Sequence, residues 1–137
     1  MERMGGCACG AVRFKIEGAL MGVGACHCTD CQKASGGGPN YVALAPRAGV
    51  KVTKGEPRVF VRRNDKGEEV SRAFCADCGT PLWSTPAQGP FSPVKLGALD
   101  DSSDLTPALH IYVSSAPAWH QIPAGLPTFP KMPPMPA

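Results

Sequence analysis

Apolar and polar residues alternate along this chain in short runs, at the period of two that a half-buried strand imposes. In Ala11–Ile16, Val12, Phe14 and Ile16 fall on one side and Arg13 and Lys15 on the other. Tyr41–Leu44, Val50–Thr53 and Arg58–Arg63 read the same way, the last with Val59 and Val61 set between Arg58, Phe60 and Arg62. Asn64-Asp65-Lys66-Gly67 carries hairpin-turn chemistry, because glycine accepts the positive φ that tight turns need. The return strand is expected over Glu69–Phe74. Further strands are expected at Pro81–Ser84, Val94–Leu96 and His110–Val113. Helical periodicity is scarce, and the one candidate is a short helix over Thr29–Ser35. The pattern therefore predicts a mainly β fold.

Composition sharpens this picture. A chain of 137 residues fits one domain with a real core. With 16 glycines and 15 prolines it favours loops and strands over a helical bundle. From Ile122 to the C-terminus the prolines crowd, at 123, 127, 130, 133, 134 and 136. This segment predicts an extended tail, anchored by Leu126 and Phe129 and frayed beyond them. A proline-rich ligand for a partner domain is the alternative. The domain is drawn at 1–130, with 131–137 as the tail.

Seven cysteines fall into three tight clusters: Cys7 and Cys9; Cys26, Cys28 and Cys31; Cys75 and Cys78. Sulfurs so closely spaced converge on a soft metal without long loop closure. Four of them, Cys7, Cys9, Cys75 and Cys78, can close a tetrahedral structural zinc that clamps the N-terminal segment to the middle of the chain. Cys26, Cys28 and Cys31 can grip a second zinc and leave it one open position, for water or a substrate thiolate. His27, His110 and His120 are the candidates to close that position. His27 sits between two ligands and is expected to point the other way. A redox pair within the trio, or iron–sulfur ligation, are the other chemistries open to these sulfurs. Glycines follow Cys9 and Cys78, where a metal-binding turn needs a positive φ.

Charge excludes more than it suggests. The formal net charge of +3 is cancelled if seven thiolates hold two zinc ions. No dense basic cluster marks a nucleic-acid binder. No apolar run reaches membrane length and no signal-like N-terminal segment is seen, so a reducing, cytoplasmic compartment is expected. An odd cysteine count also fits a disulfide framework poorly. Edge strands make a homodimer a further expectation.

Together the clusters and the words around them resemble the glutathione-dependent formaldehyde-activating family, which shares its domain with centromere protein V. The matching words are G-G-C-A-C-G-A-V-R-F at 5–14, C-H-C-T-D-C-Q-K-A-S-G-G at 26–37 and F-C-A-D-C-G-T-P-L at 74–82. G-A-L-D-D at 97–101, L-H-I-Y-V-S-S at 109–115, Trp119 and L-P-T-F-P at 126–130 follow in order. The resemblance implies a β-tent fold of antiparallel sheets around a structural zinc held by Cys7, Cys9, Cys75 and Cys78. It implies a catalytic zinc on Cys26, Cys28 and Cys31. It also implies a carbon–sulfur lyase type of activity on glutathione or another thiol adduct of an aldehyde, as in S-hydroxymethylglutathione. Fold and metal site do not by themselves fix the substrate. Members often carry two basic residues after the trio. Here Gln32 precedes Lys33, which leaves one, with Arg13 and Lys15 as candidates to compensate.

Asp30, between two trio cysteines, is a candidate to orient water or relay a proton; the plainer reading is a solvated turn residue. Asp100 and Asp101 could supply a general base or simply end a strand. Ser35-Gly36-Gly37-Gly38 could cradle a carboxylate through its N–H groups or be only a mobile loop. The competing class is a non-catalytic zinc module for a protein partner or a small thiol.

Overall fold

The computed structural model describes residues 2–133. Its strands are β1 (Glu2–Gly6), β2 (Arg13–Glu17), β3 (Val23–Cys26), β4 (Asn40–Pro46), β5 (Val50–Lys54), β6 (Arg58–Arg63), β7 (Glu69–Phe74), β8 (Pro81–Pro86), β9 (Phe91–Lys95) and β10 (Leu109–Ile111). The single α-helix among the described residues, α1 (Thr29–Ser35), follows β3. The alternating runs thus become strands, and the helix falls where it was expected.

Two sheets form. One is three-stranded in the order β1-β2-β5, and the other is seven-stranded in the order β10-β3-β4-β9-β8-β7-β6. Every strand pair is antiparallel except β10 with β3, which run parallel. The alternation in β2 is realised as read: Phe14 and Ile16 are each 1% exposed, while Arg13, Lys15 and Glu17 face outward. The core they enter holds Val12, Ala45, Leu82, Val94, Ala98 and Leu99, together with Cys7 and Cys75. Phe14 meets Trp83 edge to face, with ring centroids 5.1 Å apart. That contact joins the two sheets, since β2 belongs to one and β8 to the other.

Two strands were not anticipated. β1 reads Glu-Arg-Met-Gly-Gly and β3 reads Val-Gly-Ala-Cys, so neither shows an alternating stripe. Both exist because a neighbour supplies the ladder, β2 for the first and β4 for the second. The C-terminal segment is anchored through its backbone. His110 N–H donates to Pro127 O at 3.0 Å, Phe129 N–H to His110 O at 2.9 Å and Val113 N–H to Phe129 O at 3.1 Å. The last part of the expected tail, 134–137, lies outside the described residues.

β6 and β7 form a hairpin arm at the edge of the large sheet, closed by the expected turn with Gly67 at φ +78°. Every residue of β6 is exposed. Its three arginines suit an edge strand, because charge discourages pairing with another chain.

Candidate metal centre

The fold brings the cysteines together as four and three. The sulfurs of Cys7, Cys9, Cys75 and Cys78 all lie within 4.8 Å of one another, and so do those of Cys26, Cys28 and Cys31. All seven are unbridged.

The group of four is built from two turns, one between β1 and β2 and the other between β7 and β8. Within it Cys7 Sγ and Cys9 Sγ are 3.6 Å apart, and Cys9 Sγ and Cys75 Sγ 3.8 Å. Backbone donors aim at the sulfurs: Val12 N–H at Cys7 Sγ (3.2 Å) and Asp77 N–H at Cys75 Sγ (3.4 Å). The Val12 bond holds the Cys7 thiol below its usual range. A contact to the Thr80 hydroxyl takes Cys78 down to about 5. Cys9 accepts a lowering bond from Ala11, but the neighbouring sulfurs of Cys7 and Cys78 outweigh it and push it up to about 12. The glycines after Cys9 and Cys78 adopt φ +81° and +77°. These are conformations a side chain would strain.

The group of three sits where β3 ends and α1 begins. Cys28 caps the helix, its Sγ accepting from Cys31 N–H at 3.3 Å. Hydrogen bonds from the Cys26 and Cys28 thiols lower Cys31 well below the usual thiol range, while Cys26 is driven up by its two neighbours. Asn40 Nδ2 donates to Cys31 Sγ at 3.5 Å. Lys95 Nζ donates to Asn40 Oδ1 at 2.5 Å. Burial brings the Lys95 ammonium down to about 8, against the pull of the cysteine sulfurs.

The histidines do not close this group. His120 Nε2 lies 2.7 Å from Gly37 O, an acceptor only, so that nitrogen carries the hydrogen. His120 Nδ1 must then accept from His27 Nδ1, 2.8 Å away. His27 Nε2 in turn accepts from His110 Nδ1 at 2.8 Å. One fixed acceptor thereby sets the tautomer of two rings and orients the donor of the third. All three rings are buried. Burial holds His27 and His110 below the usual imidazole range, with His110 and His120 adding to the effect on His27.

Other sequence candidates take different places. Asp30 Oδ1 pairs with Arg62 Nε at 2.8 Å and ties α1 to the hairpin arm. Arg13 is engaged by Asp100, in the segment after β9, in a two-pronged contact (2.8 and 2.5 Å), and Lys15 by Glu17 of its own strand at 3.0 Å, so both are committed. Asp101 accepts from its own turn, through Ser103. Gln32 uses its amide to brace the cysteine loop, donating to His27 O (2.8 Å) and Ser115 O (3.0 Å). The glycine stretch after α1 is tied down: Ser35 Oγ donates to Gly38 O, and Gly37 O is taken by His120.

Sequence reasoning missed Lys95, Asn40, Arg72 and Tyr112. Tyr112 is the one non-glycine residue at positive φ (+55°) among the described residues, and its hydroxyl donates to Asp65 at the arm's tip (3.1 Å). Burial, with that bond to Asp65, pushes the phenol up to about 12. Asn40, Tyr112 and Lys95 lie 9, 47 and 55 positions from their partners in the chain, beyond any local pattern.

Comparison with known proteins decides the family. The model described as "Glutathione-dependent formaldehyde-activating enzyme" matches residues 2–115. The chain belongs to this family. A relative from Halomonas elongata, described as "Putative glutathione-dependent formaldehyde-activating enzyme", is 27% identical over 124 residues, covering 86% of this chain and 79% of its own. A crystal structure of a Rhodobacter sphaeroides protein matches the fold with a TM-score of 0.57 at 16% identity, over 92% of this chain and 98% of that one. That similarity speaks for the architecture alone. Membership in the formaldehyde-activating family agrees with two groups of sulfurs able to hold metal. No helix among the described residues is long and apolar enough to cross a membrane.

Proposed function

We propose that this protein is a zinc-dependent enzyme of the carbon–sulfur lyase type, making and breaking the bond between a thiol and an aldehyde, as in S-hydroxymethylglutathione. The observation that carries the reading is the division of the sulfurs into four and three. The donor set fits zinc: thiolates at tetrahedral sulfur–sulfur spacing, supported by N–H donors. Cys7, Cys9, Cys75 and Cys78 would hold a structural ion, and Cys26, Cys28 and Cys31 a reactive one. The chemistry such a three-thiolate ion supplies when bound is an open position for a thiolate or a carbonyl oxygen.

The chain's own residues do the rest. Asn40 fixes both the Cys31 sulfur and the Lys95 ammonium, so the two act from a common support. As substrate sulfur bonds to the carbonyl carbon, the C=O electron pair moves to oxygen. Lys95 Nζ gives that oxygen its proton, and the reverse run returns the proton to Lys95 as thiolate and aldehyde part. The histidine chain orients the backbone between Cys26 and Cys28. Asp30 acts as a positioning residue, through Arg62. In the same reading residues 1–130 are one β-tent domain with a 131–137 tail, and the unbridged cysteines suit the cytoplasm.

The test is the rate of exchange between free formaldehyde and its glutathione adduct, read by NMR with the metal-loaded protein. Acceleration that disappears in Cys28→Ser supports the proposal. An exchange rate equal to that in buffer sinks it and leaves a binding module.

A further inference from the structure

A cavity of about 400 Å³ opens beside the cysteine trio, between α1 and strands β6 to β9. Lys33, Arg72 and Lys95 line it, and no carboxylate does. Its other walls are largely apolar, with Phe60, Phe74 and Trp83 among them. Phe60 pairs across the ladder with Arg72, and Arg72 with Ser84, so the three side chains share one face of the sheet. Phe60 is 53% exposed, a large apolar surface with no cover. Lys95 ties the cavity to the trio, because its partner Asn40 also donates to Cys31 Sγ. Lys95 cannot swing away freely, because Asn40 holds it.

From this arrangement we infer that the cavity selects an anionic thiol carrying an aromatic or branched apolar body, its sulfur directed to the trio. The inference rests on the proposed thiol chemistry and narrows its substrate class. Lys33 and Arg72, without a counter-ion in the lining, provide a seat for a carboxylate, where charge-assisted hydrogen bonds are the strong ones, while Lys95 stays with the reacting oxygen. The aromatic walls reward apolar bulk branching beside that carboxylate and the sulfur. The single basic residue after the trio is thus supplemented by two from distant strands, β7 and β9.

Calorimetric binding to the metal-loaded full chain tests this with four thiols. 2-Mercapto-3-phenylpropanoate has charge and body, mercaptoacetate only charge, 2-phenylethanethiol only body, and 2-mercaptoethanol neither. The first should bind tightest, with loss of either feature weakening it about tenfold or more. Arg72→Gln and, independently, Lys33→Gln should shrink the preference for charge, and Phe60→Ser the preference for the phenyl group. Circular dichroism checks that each variant is folded. Equal affinity for all four thiols, or preferences unchanged in the folded variants, overturns the inference. 3-Phenylpropanoate, which lacks sulfur, separates the two claims. If it binds through Arg72 and Phe60 while thiol–aldehyde exchange is absent, the cavity assignment stands and the proposed reaction falls.

Discussion

Replacing Cys78 with serine should unfold this protein far more readily than replacing Cys28. Both substitutions remove one sulfur, but the two groups bind different things together. The group of four joins residues far apart in the chain; Cys9 and Cys75 are 66 positions apart and belong to turns on different sheets. A cross-link closing a loop of that length removes about 4 kcal/mol of unfolded-state entropy. The trio closes six residues within one loop, for which the same relation gives about 2 kcal/mol, and it ties no distant elements together. Net stabilities are only about 5–15 kcal/mol, so the first loss is a large share of the total. Cys78 suits the test because it is exposed, and a serine there creates no cavity. For a chain of this length 4 kcal/mol corresponds to a fall of about 12–16 °C in Tm. Thermal melts in reducing buffer, with metal content measured on the same samples, give the comparison. Cys28→Ser should keep the group-of-four metal and lose about half as much Tm or less. Equal losses in the two variants would refute the division into a clamp and a reactive site.

Other consequences follow from single positions. Glu17, held by Lys51 (2.8 Å) and Lys15 (3.0 Å), has its carboxyl lowered from 4.5 to about 2. A depressed carboxyl stabilises the fold above the unfolded value and ceases to as pH falls through the folded one. The Tm difference between wild type and Glu17→Gln should therefore shrink between pH 4.5 and 2, and a constant difference would contradict it. Phe14→Ala empties a site 1% exposed and deletes the ring pair with Trp83, costing about 3–5 kcal/mol in urea melts. Gly79→Ala meets no atom within 4 Å of the new Cβ, so its cost is the backbone alone at φ +77°, about 1–2 kcal/mol. Gly79→Asn should recover part of that, since asparagine tolerates this conformation.

What the sequence made legible is what is local. The β6–turn–β7 hairpin, the seven-residue helix and the cysteine spacing depend on neighbours within a few residues, and each came out where the pattern put it. Val12, Phe14 and Ile16 could be assigned to the core because one face of β2 is buried and the other is not. β1 and β3 escaped because their short runs, rich in glycine, acquire strand character only from a partner. His27 points away from the sulfurs, as its place between two of them led one to expect. Its partners escaped, because only the tertiary fold brings His110 and His120, 83 and 93 positions away, onto its ring. Arg13 and Lys15 likewise looked free to meet substrate until the fold supplied their acidic partners, Asp100 and Glu17.

The hairpin arm has a kinetic consequence. Beyond its ladder to β8, its polar side chains reach the rest of the molecule through the Arg62–Asp30 pair, the Tyr112–Asp65 bond and the Gln88–Glu68 bond, all at the surface or partly open to it. Such links contribute little in water and weaken as salt rises. Amide protons of β6 and β7 should therefore exchange faster than those of β4 and β9, by local opening rather than global unfolding. Because Phe60 and Arg72 travel with the arm, each opening also takes down one wall of the cavity. Ionic strength would then set how often a bulky ligand can enter or leave, without altering any group that performs the chemistry.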